Sequence, residues 1–224
     1  MITKMRAFFA KMPDWLEVFI VIAICFGTSI YISIASFSSG EAFTKIEFND
    51  NRIIRTLLFE LVLTIVCLIF LRLRNYKIGE RLKFEPSLKS TLAGVGLFFA
   101  TYLIYIVSIV IIFAIIGERN IPVAKYVVTV SFPLIIAASL INPLFEETFV
   151  MGYIFDKFES RGVAWAITAS VLLRISYHLY QGWIGIISLF VIGLVSALVY
   201  SRYRNLWAFY VAHALMDFTG LLLK

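Results

Sequence analysis

Charge is in short supply in this chain: only 15% of its 224 residues are Asp, Glu, Lys or Arg, while 61% are hydrophobic. A soluble domain averages roughly 25% charged residues, so the shortage excludes a soluble globule and points to a membrane protein. Histidine and cysteine are scarcer still, with two of each. Cys25 and Cys67 stand in the middle of apolar runs without metal-type spacing and read as packing residues. Internal repeats, low-complexity tracts and a soluble linker domain are missing, which leaves a single integral membrane domain over 1–224. The first apolar run also lacks a small-residue cleavage site, so it reads as a retained helix and not as a signal peptide.

What the sequence has is apolar length. Runs long enough to cross hydrocarbon lie near 16–37, 54–71, 90–116, 125–141 continuing into 143–157, 163–179, 183–200 and 205–222. The expected fold class is therefore all-α, a polytopic membrane helical bundle of about seven transmembrane helices. Segment 1–14 mixes Lys4, Arg6 and Lys11 with Met5, Phe8, Phe9 and Met12 and suits a short interfacial helix. Thirteen Lys and Arg residues fall on the side of the N-terminus and six on the other, with Arg174 alone inside a span. Cytoplasmic loops carry such an excess, which places the N-terminus in the cytoplasm. The net charge of +6 then reflects topology and contact with the lipid bilayer, and no nucleic-acid partner is implied.

Most acids sit near helix ends, where solvation explains them. The deep ionisable residues are Glu60, Glu146, Glu147, Arg174, His178, His213 and Asp217, and an intramembrane ionisable group is a functional candidate by default. At a rise of roughly 1.5 Å per residue, Glu146, His178 and His213 come to one level on three helices. Arg174 and His178 are spaced i,i+4, as are His213 and Asp217, and so share faces. Glu146 and Glu147 are adjacent, so one faces the site and the other a supporting partner. Asn142-Pro143 reads either as a kink or as a helix start capped by Asn142. Glu60 lies outside this cluster and reads as structural or as facing an outer cavity. Tyr177, Tyr180, Trp183 and Trp207 suit interfacial aromatic belts.

A carboxylate and an imidazole converging in a low-dielectric cavity can activate water, and a second imidazole can donate to an oxyanion. That set hydrolyses a peptide bond without a covalent nucleophile. A serine route lacks a G-x-S-x-G near the histidines, although Ser176 precedes His178 by two residues. A zinc route would draw Glu146, His178 and His213 from three helices, with no H-E-x-x-H present.

Three motifs in order, EETFVMG (146–152), RISYHLYQG (174–182) and HALMD (213–217), resemble the CPBP family of intramembrane proteases. That family includes the type II CAAX prenyl endopeptidases and Abi-like bacteriocin-processing or immunity homologues. The resemblance covers about 130–220. It implies an intramembrane endopeptidase in a bacterial or archaeal cell membrane, with no cofactor or, alternatively, zinc. By the same resemblance Glu146 activates water with help from His178, His213 and Asp217 bind the oxyanion, and Glu147 holds the site together. The implied partner is a peptide or protein substrate, with a prenylated CAAX protein and a leader peptide equally open.

The departures are specific. Met151 stands where the family's first motif has arginine, and Arg174 where its second has phenylalanine, so Arg174 is expected to pair with Glu147 in place of the missing cation. Asp217 stands for an asparagine. An ionised Asp cannot donate, so it acts protonated or else orients His213. The alternative to an active enzyme is a catalytically weakened homologue that scaffolds or regulates a membrane partner. A transporter or proton relay would require inverted repeats, which are not visible.

Overall fold

The computed structural model describes residues 8–9, 11–117 and 125–223. Its helices are α1 (Asp14–Ser39), α2 (Asp50–Leu73), the short α3 (Ile78–Arg81), α4 (Leu88–Ile116), α5 (Phe132–Glu159), α6 (Val163–Ser176), α7 (Gly182–Tyr203) and α8 (Leu206–Leu222). Polar caps set several boundaries: the Asn49 side chain accepts from Arg52 N at the start of α2, and Ser87 and Ser90 form a reciprocal capping box at α4. These contacts satisfy amide groups that the first helical turn leaves unpaired. Gly40, at φ 83°, ends α1 in the left-handed conformation that glycine adopts without a side-chain clash.

All seven expected apolar helices are present, but among the described residues only five are long and apolar enough to cross a membrane: α1, α2, α4, α5 and the stretch Leu179–Tyr203. Helix α6 has 14 residues and α8 has 17. At about 1.5 Å per residue, α6 is roughly 21 Å long and stops inside the bundle. The expected interfacial helix at 1–14 lies largely outside the described residues. So do Lys4, Arg6, Arg119 and Lys224 of the charge count.

Two expectations are corrected by backbone pairing. Residues 125–129 are not helical: Lys125–Thr129 forms strand β2, paired in parallel with strand β1 (Lys45–Asn49) in the register Ile46↔Tyr126 and Phe48↔Val128. Both strands are rich in the aromatic and β-branched residues that favour extended backbone. The helix begins at Phe132, with Ser131 N bonded to Asp50 Oδ1 at 2.6 Å. Asn142 is not a cap either, because α5 runs through Pro143 without interruption. The irregularity falls just beyond, where Glu147–Ile154 adopts π-helical geometry.

Helix α8 packs on α4 and α5, α6 on α7, and α2 on α5. At Gly94 a side chain would come within 2.6 Å of Ala208 O, so the bare Cα lets α4 and α8 approach closely. One apolar cluster joins Val21, Phe26, Phe70, Leu71, Phe149 and Tyr153; a second joins Leu82, Met151, Phe155, Tyr200, Leu206 and Phe209. Exposed Leu58, Leu61, Val62 and Ile65 on α2, with Leu103, Val107 and Val110 on α4, suit contact with lipid.

At the end where α1 starts and α2 and α5 finish, a buried ionic clasp ties the three helices. Glu17, expected among the solvated acids, is only 2% exposed. It accepts from Arg74 Nε at 2.5 Å and Tyr153 Oη at 2.9 Å, and lies 2.8 Å from Lys157 Nζ. Beside it Tyr76 donates to Asp156 at 2.8 Å. Burial and the Asp156 charge push the Tyr76 hydroxyl well above its ordinary pKa.

Candidate active site

The π-helical stretch decides how α5 presents its two carboxylates. Glu146 closes the α-helical part and Glu147 opens the wider turn; single π turns of this kind recur at functional sites. Both residues are buried, at 5% and 3% exposure, and they face different partners. Glu146 Oε2 accepts from Tyr177 Oη at 2.6 Å and lies 3.7 Å from His178 Nε2 and 3.6 Å from Arg174 Nη1. Glu147 Oε1 accepts from Arg174 Nη2 at 2.6 Å and meets His213 Nδ1 at 2.7 Å. The adjacent pair is thus divided as its spacing predicts.

Arg174 makes the expected ion pair with Glu147, across from α6. Met151, at the position of the missing arginine, is 1% exposed inside the second apolar cluster. His178 does not share a helix face with Arg174. Helix α6 ends at Ser176, and His178 precedes a 3-10 turn, Leu179–Gln181. The two side chains meet at Glu146 instead. Gln181 Nε2 lies 3.3 Å from His178 Nδ1; when it donates there, the ring proton sits on Nε2, facing Glu146. On α8, His213 Nε2 is 3.5 Å from Asp217 Oδ1, and Asn142 Nδ2 donates to Asp217 Oδ2 at 3.0 Å.

Two cavities flank this cluster. The larger, about 1350 Å³, is lined by Glu60, Asn142, Glu146, Tyr177, His178, His213 and Asp217 among others; the smaller, about 440 Å³, is lined by Glu147 and Arg174, again with His178, His213 and Asp217. Glu60 therefore belongs to the wall facing Glu146, and its Oε2, like Glu147 Oε2, is buried without a hydrogen-bond partner.

Sequence reasoning missed Tyr177, which is a buried donor to Glu146 and not an interfacial belt residue. It also missed Gln181 and the role of Asn142. Signals for them existed: Asn142 precedes Glu146 by one helical turn, and Tyr177 and Gln181 bracket His178.

The donor set does not fit zinc. Among the described residues no group of three His, Cys, Asp or Glu side chains converges as metal ligands would.

Residues 128–219 match the family described as Type II CAAX prenyl endopeptidase Rce1-like. The matched segment takes in β2 from its fourth residue, α5, α6, α7 and most of α8, and agrees with the resemblance carried by the three motifs. No curated protein and no solved structure matches the chain. With five helices of membrane-crossing length among the described residues, the chain is an integral membrane protein, and its residues 128–219 are similar to a protease family.

Proposed function

We propose that this protein is an intramembrane endopeptidase that hydrolyses a peptide bond with a glutamate-activated water. The observation that carries the reading is the Glu146–His178 pair, 3.7 Å apart on the wall of the larger cavity. That gap lets one water bond to both groups. Glu146 takes a proton from this water as the oxygen attacks the substrate carbonyl, while His178 Nε2–H holds it in line. His213, donating from Nδ1 to Glu147, offers Nε2–H to the oxyanion in its cationic form. Collapse of the tetrahedral intermediate breaks the C–N bond, the amine leaves with the proton held by Glu146, and the other product is a carboxylic acid.

Tyr177 fixes the Glu146 carboxylate, and Glu147 with Arg174 fixes His213. Asp217 accepts from Asn142 through Oδ2, and its Oδ1, 3.5 Å from His213 Nε2, supports a resting-state acceptor role toward that ring, which the substrate oxyanion replaces during the reaction. No step passes through a metal. The excess of lysine and arginine at the clasp end supports a cytoplasmic N-terminus.

The test uses purified protein with a fluorogenic leader-type peptide and a prenylated CAAX peptide. Hydrolysis that survives a chelator supports the glutamate mechanism, and loss on chelation overturns it. A wild-type protein that is folded and cleaves neither peptide favours a membrane scaffold.

A further inference from the structure

The two cavities and the basic residues lie at opposite ends of the bundle. Eleven lysines and arginines among the described residues belong to the clasp end: Lys11, the six from Arg72 to Lys89, Lys157, Arg161, Arg202 and Arg204. Contacts tie them to one face: Arg74 and Lys157 meet Glu17, Arg81 meets Asp156, Arg204 meets Glu159, and Lys83 O accepts from Leu206 N. Among the described residues only Lys45, Arg52, Arg55 and Lys125 stand at the sheet end. Such an imbalance orients a membrane bundle with its basic end in the cytoplasm.

Both cavities run the other way. The larger is lined by the end of α1, by β1 and by the start of α2, with exposed Ser39, Glu41, Thr44, Lys45 and Arg52 at its rim. The smaller reaches Thr219, Gly220 and Leu223 at the end of α8. Neither is lined by a residue of the clasp-end connections at 74–87, 160–162 or 203–205. On that side the site is closed by the apolar cluster of Leu82, Met151, Phe155, Tyr200 and Leu206, all under 5% exposed, and by the Glu17 clasp. Met151 is part of this seal, and a cation there would face Leu82 and Phe155.

Resting on the endopeptidase reading, we infer that the site is served from the extracytoplasmic face. Its substrate is a peptide segment presented outside the membrane, as an exported or leader-bearing peptide is, and not a cytoplasmic C-terminal CAAX sequence. The polar rim at the sheet end admits such a chain directly to Glu146 and His178, whereas a cytoplasmic chain meets packed side chains.

Two single-cysteine positions test this, with native Cys25 and Cys67 buried and silent: Thr44→Cys at the cavity rim and Ser160→Cys at the clasp end. In intact cells a membrane-impermeant maleimide labels Thr44→Cys, and it labels Ser160→Cys only after permeabilisation. A quenched leader-type peptide added outside spheroplasts is hydrolysed by wild type and not by Glu146→Gln. The reverse labelling pattern overturns the inference. So does hydrolysis by solubilised protein that fails when the same peptide is added outside spheroplasts. If solubilised wild type hydrolyses nothing, the endopeptidase reading falls and takes the substrate class with it, while the labelling still decides which face the cavities open on.

Discussion

Two buried charge networks hold this bundle, and they differ in completeness. Around Glu17 both carboxylate oxygens are paired, Arg74 also reaches Phe9 O and Asp14, and none of Glu17, Arg74, Lys157 or Tyr153 lines either cavity. Around Glu146 and Glu147 the opposite holds: Glu147 Oε2 has no partner, Glu146 and His178 stand apart by more than a hydrogen bond, and both face open volume. A saturated buried network stabilises by geometry alone, whereas unspent hydrogen-bonding capacity beside a cavity is available to a substrate. The distinction separates a clasp from a reactive site although both contain Glu, Arg and Tyr.

Substitutions can break that contrast. His178→Ala, which removes the group that orients the water, is expected to lower kcat/KM by roughly 10²–10⁴-fold while the melting temperature holds. Glu17→Leu does the converse: it strands Arg74 and Lys157 and costs about 3–5 kcal/mol of stability, read from thermal unfolding in detergent, with kcat/KM of the folded fraction unchanged. Tyr177→Phe removes one donor to a charged acceptor, worth about 1.5–3 kcal/mol, and lowers turnover by at least roughly tenfold. Glu60→Leu removes a carboxyl whose Oε2 lacks a partner; it is expected to raise stability by about 1–3 kcal/mol, a sign opposite to that of Glu17→Leu.

The candidate site was far more legible in the sequence than the clasp. Carboxylates and histidines in the middle of apolar runs are conspicuous because hydrocarbon penalises them, and their spacing along separate helices fixed a common depth. Glu17, Arg74 and Lys157 sit at helix ends, where the same residue types are ordinarily solvated, and only tertiary packing shows that they are buried. The strand at 125–129 was hidden for a related reason. Its apolar residues continue into the next helix without a break in hydropathy, and its partner, β1, lies some eighty positions earlier. Helix end and turn at Tyr177–Gln181 were blurred because the apolar run passes through them, so Tyr177 read as a belt residue.

The division of labour between Glu146 and Glu147 is the centre of the account, and Glu146→Gln beside Glu147→Gln tests it most directly. Peptide hydrolysis and thermal unfolding are measured on both purified variants. The account predicts that Glu146→Gln unfolds like wild type and is inactive, while Glu147→Gln is less stable and its folded fraction retains reduced but measurable hydrolysis. Wild-type turnover by Glu146→Gln, or a fully stable and inactive Glu147→Gln, would contradict it.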